Sequence, residues 1–259
     1  KRDYLVLSNG HICPVLYATM ANRGYFPKKE LLTLRQLGSR LQGHPHREIL
    51  PGLETTSGPL GSGLSQAAGM ALGLKMDKKK NLVYCICSDG EQNEGNHWEA
   101  VMFAAKNKLN NLIAITDRNH IQISGNTEKI MPLNPLDKKY KAFGWDVITI
   151  NGNNMAQILK VLNRTKKRAK GRNKNDKNKK PLMIIANVIP GKGVKYMEND
   201  SHWHGATPGS GPDNLVSKEN QEEVALAQIH KQEMKLTKFW ERKHKSFGPV
   251  HLIKRGKKK

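Results

Sequence analysis

Two short apolar runs, each stopping at groups able to hold a cation, limit this chain more than any other feature. Leu82-Val83-Tyr84-Cys85-Ile86-Cys87 leads into Ser88-Asp89-Gly90, and Leu112-Ile113-Ala114-Ile115-Thr116 leads into Asp117-Arg118-Asn119-His120-Ile121. Apolar runs this short, bounded by polar turns, read as buried strands. The intervening Trp98-Glu99-Ala100-Val101-Met102-Phe103-Ala104-Ala105-Lys106 has the length of a helix. The set therefore reads as a βαβ unit, with Asp89 at the carboxyl end of one strand and Asn119 just past the end of the next. Open parallel sheets bind ligands in the crevice beyond those ends. One carboxylate and one amide leave most of a coordination sphere to water and phosphate oxygens, which suits Mg²⁺.

The rest of the chain continues the alternation. Residues 1–24 have helical apolar spacing through Leu5, Leu7, Ile12, Val15, Leu16 and Met20, and a second helix is expected from Pro27 to about Leu37. Residues 42–63, rich in Gly, Pro and Thr, read as loop. Leu64, Ala67, Ala68, Ala71, Leu72 and Leu74 give helical spacing over small residues, so this helix can approach a sheet or a twin subunit closely. Trp145–Ile150 and Leu182–Ile189 supply two more strands, with an amphipathic helix from Met155 to Leu162 between them. Residues 199–214 read as irregular, and 219–245 as a helix with few periodic apolar positions. Strands alternating with helices predict an α/β fold with a mostly parallel sheet flanked by helices.

Charge is distributed unevenly. The net charge is +22, and residues 164–180 and 231–259 each carry +9 of it. Such blocks are usually solvated, and they often bind nucleic acid through its phosphates. Mean hydropathy is −0.64, so part of the chain is expected to lie outside any core. No apolar run approaches the roughly 20 residues of a membrane-spanning helix, and no membrane contact is expected. Of the cysteines, Cys85 and Cys87 alternate along one strand and share a face, while Cys13 stands apart. With neither zinc spacing nor a disulfide framework, they read as reduced core thiols. That implies a reducing compartment, either cytoplasm or an organellar matrix such as the mitochondrial one. The sequence opens on Lys1 rather than Met, which leaves a removed targeting segment open.

Further motifs fall in a fixed order along the chain. They are Leu7-Ser8-Asn9-Gly10-His11, Gly43-His44-Pro45, Thr55-Thr56-Ser57-Gly58-Pro59-Leu60-Gly61, Asp89-Gly90 with Glu94-Gly95, Asp117-Arg118-Asn119, Gly191-Lys192-Gly193 and Trp203-His204-Gly205. Together they resemble the N-terminal, diphosphate-binding part of transketolase, and most closely the N-terminal subunit of split, two-chain transketolases. The resemblance runs from about Asp3 to Pro208. It suggests one domain over residues 1–215, with the basic insertion at about 164–180, and a basic extension over 216–259 that has no counterpart.

The resemblance implies a three-layer thiamine diphosphate-binding fold. Asp89 and Asn119 correspond to side chains that bind Mg²⁺ and Ile121 to a backbone carbonyl ligand, with Gly90 in the same diphosphate-binding motif. Gly58, Pro59 and Leu60 correspond to the turn that reaches the cofactor's aminopyrimidine, where glycine permits close backbone approach. His11 and His204 correspond to histidines that contact the diphosphate. His44 corresponds to a catalytic histidine near the reacting carbon, where imidazole relays a proton near neutral pH. Glu94 corresponds to a buried glutamate at a subunit interface. There are departures: Ser88 replaces the usual glycine, and His120 stands where the family prefers glycine. The family's opening residues, with a further histidine near the thiazolium carbon, lie upstream of the match.

Two functions stay open at this point. In one, the chain is a transketolase subunit that binds Mg²⁺ and thiamine diphosphate. It meets a pyrimidine-binding subunit, or another copy, at the cofactor. In the family the glutamate that activates the cofactor sits on the pyrimidine-binding domain, so the isolated chain is expected to be inactive. In the other, it is a transketolase-derived, inactive structural component of a large ribonucleoprotein such as a mitochondrial ribosome, contacting rRNA through 164–180 and 231–259.

Overall fold

Aliphatic side chains on both faces of two central segments leave no polar face for water, and this determines where those segments sit. The computed structural model describes residues 2–123, 125–169, 180–213 and 215–243. In chain order they form β1 (Tyr4–Leu7), α1 (Cys13–Asn22), α2 (Ser62–Met76), β2 (Val83–Ser88), α3 (Gly95–Lys106) and β3 (Leu112–Arg118). Next come the short antiparallel pair β4 (Ile121–Gln122) and β5 (Gly125–Asn126), then α4 (Thr127–Ile130), α5 (Leu136–Ala142), β6 (Asp146–Asn151), α6 (Met155–Ala169), β7 (Leu182–Asn187) and α7 (Gln221–Lys243). Contacts divide the chain into a unit of residues 1–189 and a unit of residues 190–259.

In the first unit the sheet order is β1-β2-β3-β7-β6, and every neighbouring pair is parallel. Side chains alternate between its two faces. Val83, Cys85 and Cys87 of β2, Leu112 and Ala114 of β3, and Met183 and Ile185 of β7 pack beneath α2, α3 and α5. Ile113, Leu182 and Ile184 face the other way, against Val161 and Leu162 of α6. This is a layer of helices, a parallel sheet and a second helical layer. Cys85 and Cys87 share the α2–α3 face as expected, and all three cysteines are buried free thiols. Among the described residues no helix is long and apolar enough to cross a membrane.

Two expected helices come out differently. The helix predicted over 1–24 starts only at Cys13, because Tyr4–Leu7 pairs with β2 from Tyr4 against Val83 to Leu7 against Ile86. Over so few residues the apolar spacing fits either period, and the ladder with β2 decides. The helix expected from Pro27 is a 3₁₀ turn over Lys28–Thr33, followed by Arg35 at φ +61, a left-handed conformation that stops helix propagation.

The second unit has its own small core of Val194, Tyr196 and Ala225, with Trp203 packed against it. The Tyr196 hydroxyl donates to the Gln221 carbonyl at 2.7 Å and ties the turn region to the start of α7. Residues 170–179 and 244–259, which hold most of the two basic blocks, lie outside the described residues, and with them most of the expected rRNA contact.

Candidate functional site

Three parallel strands end side by side, and each end carries polar groups. β1 is followed by Ser8-Asn9-Gly10-His11, β2 by Asp89-Gly90, and β3 by Asn119-His120-Ile121. The ends are level because Leu7 pairs with Ile86 and Ser88 with Asp117.

Asp89 is fully buried. Its Oδ2 accepts the Arg118 guanidinium at 2.9 Å and the backbone N–H of His120 at 2.6 Å. Its Oδ1 is buried and meets no protein donor, and the same holds for Asp117 Oδ1 and Gln122 Oε1. Buried acceptors without donors are costly, and a cation facing them removes that cost. Burial pushes the Asp89 carboxyl up from its ordinary value, opposed by Arg118 and His120. Burial and the neighbouring Asp89 together push Asp117 up to about 6, against a hydrogen bond from Asn119. Both shifts report negative charge held where solvent does not screen it.

Asn119 Oδ1 accepts the Ile121 N–H at 2.8 Å and turns the chain directly after β3. An amide oxygen keeps a second lone pair for another partner. His120 lies at φ +62, a region that favours glycine, which accounts for the family's preference there. A Cβ on Gly90 would come within 3.1 Å of Gln122 Cγ, so β4 lies close against this turn. Among the described residues no group of three or more His, Cys, Asp or Glu side chains has the arrangement of a metal site. The candidate donors are instead Asp89, Asn119 and the Ile121 carbonyl. Such a set fits Mg²⁺, which keeps several positions for phosphate and water.

The second part of the site is the turn before α2. The Ser57 hydroxyl donates to the Leu7 carbonyl at 2.6 Å. A Cβ on Gly10 would stand 2.5 Å from Ser57 Cβ and 3.2 Å from both Gly58 N and His44 Cδ2. Glycine at position 10 thus lets Gly58 and His44 close on the turn that carries His11. His44, Pro59 and Leu60 are exposed and His11 is half-buried. A Cβ on Gly58 would meet nothing within 4 Å, so that backbone faces open space. Glu94 is exposed at the start of α3, with its Cβ 2.7 Å from where a Cβ on Gly61 would sit. His204 belongs to the second unit, where its N–H donates to the Ser201 carbonyl at 3.0 Å and its side chain is exposed.

Two charged residues of this site escape sequence reasoning. Glu91 is fully buried and accepts the Ser88 N–H at 2.5 Å, the Gly61 N–H at 2.9 Å and the Ser8 hydroxyl. It therefore binds the ends of β1 and β2 to the turn that contains Gly58. Burial raises its carboxyl, opposed by those donors. Nothing in Asp89-Gly90-Glu91-Gln92 distinguishes it by residue type. Arg118 offers a signal, since a basic side chain closes a central strand that is apolar from Leu112 to Ile115.

Comparison with known proteins identifies the family of the chain. The family "Transketolase, thiamine diphosphate binding domain" matches residues 1–223. The chain is 43% identical over 208 residues to an apulose-4-phosphate transketolase subunit of Phocaeicola vulgatus, covering 80% of this chain and 70% of that protein. It is 42% identical over 232 residues to the 6-deoxy-6-sulfo-D-fructose transketolase subunit SqwG of a Clostridium species, covering 90% and 78%. The crystal structure of Campylobacter jejuni transketolase superposes with a TM-score of 0.71 at 27% identity, over 95% of this chain and 40% of that one. The chain thus spans most of the two subunits but less than half of the Campylobacter protein. The family match spans most of the chain, its parallel sheet and helical layers superpose on a solved transketolase, and the chain belongs to the family of transketolase thiamine diphosphate-binding domains.

Proposed function

We propose that this chain is the cofactor-anchoring subunit of a two-chain transketolase, holding Mg²⁺ and the diphosphate of thiamine diphosphate and requiring a pyrimidine-binding partner for ketol transfer. One observation carries the reading: Asp89 Oδ1 is buried without a protein donor at the end of β2, and Asn119 follows the neighbouring strand. Thiamine diphosphate, when bound, supplies a ring that stabilises a carbanion. Asp89, Asn119 and the Ile121 carbonyl hold the cation that lets two phosphates sit beside a carboxylate. Gly90, with no Cβ, lets β4 lie close against the turn that carries Asp89. Gly58, Pro59 and Leu60 present an open backbone edge to the pyrimidine end. His11 serves phosphate oxygens. His44, exposed beside Gly10 and Gly58, holds or passes a proton at a ring nitrogen near the reacting carbon.

Both relatives are named as transketolase subunits, which supports a separate partner. Exposed Leu60 in the cofactor turn and exposed Glu94 beside it suit a surface that such a partner covers. The ribonucleoprotein alternative rests on the charge of 164–180 and 231–259 alone.

Calorimetric titration of the full chain with thiamine diphosphate, with and without Mg²⁺, tests the anchor. Ketol-transfer assays with and without a pyrimidine-binding subunit test the division of labour. Mg²⁺-dependent binding with no turnover by the chain alone is expected. Cofactor binding that ignores Mg²⁺, or ketol transfer by the chain alone, overturns the proposal.

A further inference from the structure

The turn Gly58-Pro59-Leu60 is fastened at both ends, and the two fastenings lie on different strands. On one side the Ser57 hydroxyl donates to the Leu7 carbonyl at 2.6 Å, at the end of β1. On the other the Gly61 N–H donates to Glu91 Oε2 at 2.9 Å. Glu91 sits two residues beyond Asp89, and its Oε1 accepts the Ser88 N–H at 2.5 Å, at the end of β2. Only three residues separate the two fixed points, so the position of the turn follows from them.

Gly61 gives the chain no alternative path. It lies at φ +76, and a Cβ there would stand 2.3 Å from Asn96 Oδ1 and 2.7 Å from Glu94 Cβ. It is also the N-cap of α2, whose first turn has no acidic side chain and no side-chain cap of its own. Glu91 supplies the missing acceptor. Its Oε2 also takes the Ser8 hydroxyl, and that hydroxyl oxygen accepts the Gly63 N–H at 3.2 Å. A buried carboxylate at the start of a 15-residue helix meets both the unpaired N–H groups and the positive end of the helix dipole. The start of α2 is thus occupied by an anion of the protein itself.

One carboxylate therefore joins the segment that carries Asp89 to the turn that carries Gly58. Resting on the function proposed above, in which these two segments hold opposite ends of one cofactor molecule, we infer that Glu91 is a positioning residue that sets the spacing between the diphosphate anchor and the pyrimidine edge. A ligand that bridges two sites gains from the second contact only when the spacing matches. Loosening Glu91 penalises thiamine diphosphate, which spans both segments. It spares inorganic pyrophosphate, which reaches the anchor alone.

The test compares the full-length wild type, Glu91→Gln and Ser8→Ala. Each is titrated calorimetrically with thiamine diphosphate and separately with inorganic pyrophosphate, both with Mg²⁺, and thermal unfolding is followed in parallel. Glutamine offers one acceptor oxygen in place of two, so either the Ser88 or the Gly61 N–H loses its acceptor. Glu91→Gln is expected to lower affinity for thiamine diphosphate roughly tenfold, the share of one hydrogen bond to a charged group, and to leave pyrophosphate affinity unchanged. Ser8→Ala removes the neutral donor to Glu91 and the acceptor for Gly63, so it moves the ratio of the two affinities in the same direction and by less. It keeps the test open where Glu91→Gln does not fold. A glutamate that merely supports the fold weakens both ligands alike and lowers the unfolding temperature without moving the ratio, and that outcome overturns the inference. Wild-type chain that binds neither ligand, or pyrophosphate as tightly as thiamine diphosphate, overturns the cofactor reading of these segments together with it. Wild-type preference for thiamine diphosphate with an unmoved ratio in the variants overturns this inference alone.

Discussion

The Glu91 carboxylate accepts the backbone N–H of Gly61 at 2.9 Å, and through that bond the turn before α2 is held to the end of β2. The same carboxylate takes the Ser88 N–H and the Ser8 hydroxyl, so three separate segments depend on one buried charge. Glu91→Gln keeps the shape but turns an amide NH₂ toward one of these donors. The expected loss is about 1–3 kcal/mol, the cost of leaving a buried donor unmet. Thermal unfolding reads this as a fall of several degrees. A variant that melts with the wild type shows that the carboxylate does not hold the turn.

Close packing of α2 on β1 makes a paired glycine prediction. A Cβ on Gly63 would stand 2.4 Å from Ser8 Cβ and 2.6 Å from Ser8 Cα. Ser8 has little room to yield, because its N–H is bonded to the Ile86 carbonyl at 2.8 Å. Gly63→Ala is expected to cost about 1–3 kcal/mol, as overpacking does. Gly69→Ala lies in the same helix with nothing within 4 Å of the added carbon. It is expected to gain up to about 1 kcal/mol from helix propensity. Denaturant unfolding of the two variants distinguishes them, and a shift of the same sign in both contradicts the packing argument.

Acid sensitivity is expected from His97. The ring is buried, with Nε2 2.6 Å from the Tyr140 hydroxyl and Nδ1 without a partner. Burial lowers its pKa from 6.5 to about 4. Between those values the unfolded chain binds more protons than the folded one, so stability falls as pH drops through the window. The contribution is complete above 6.5 and gone below about 4, and it amounts to about 3 kcal/mol at most. His97→Gln lacks this titration. The difference in unfolding free energy between wild type and variant should therefore narrow from pH 7 to pH 4, and a constant difference would show that His97 does not titrate there.

His44 and His11 should separate kinetically. With the pyrimidine-binding subunit present, His44→Ala is expected to lower kcat roughly a hundredfold or more, the usual range for a lost proton-transfer group. Its affinity for thiamine diphosphate should not change. His11→Ala should weaken cofactor affinity first. Calorimetry beside steady-state assays distinguishes them, and an exchanged pattern would reassign the two histidines.

The strand-end positions of Asp89 and Asn119 are legible in the amino-acid order because each follows an apolar run whose length and composition specify a buried strand. The same local pattern yields the helices α2 and α3 and the alternation that makes the sheet parallel. It fails for Tyr4–Leu7, where four residues fit a helix or a strand equally well and only the ladder with β2 decides.

By itself, then, the order of residues settles the α/β architecture and the family, and it points to the candidate site at the carboxyl ends of β2 and β3. Tertiary structure alone decides which oxygen of Asp89 stays open, and that Glu91 and Arg118 are interior. The physical reason is range. Apolar periodicity is read within one segment, but a buried charge survives only through donors or counter-charges that other segments bring. Those of Glu91 arrive from Ser8 and Gly61, 83 and 30 residues away.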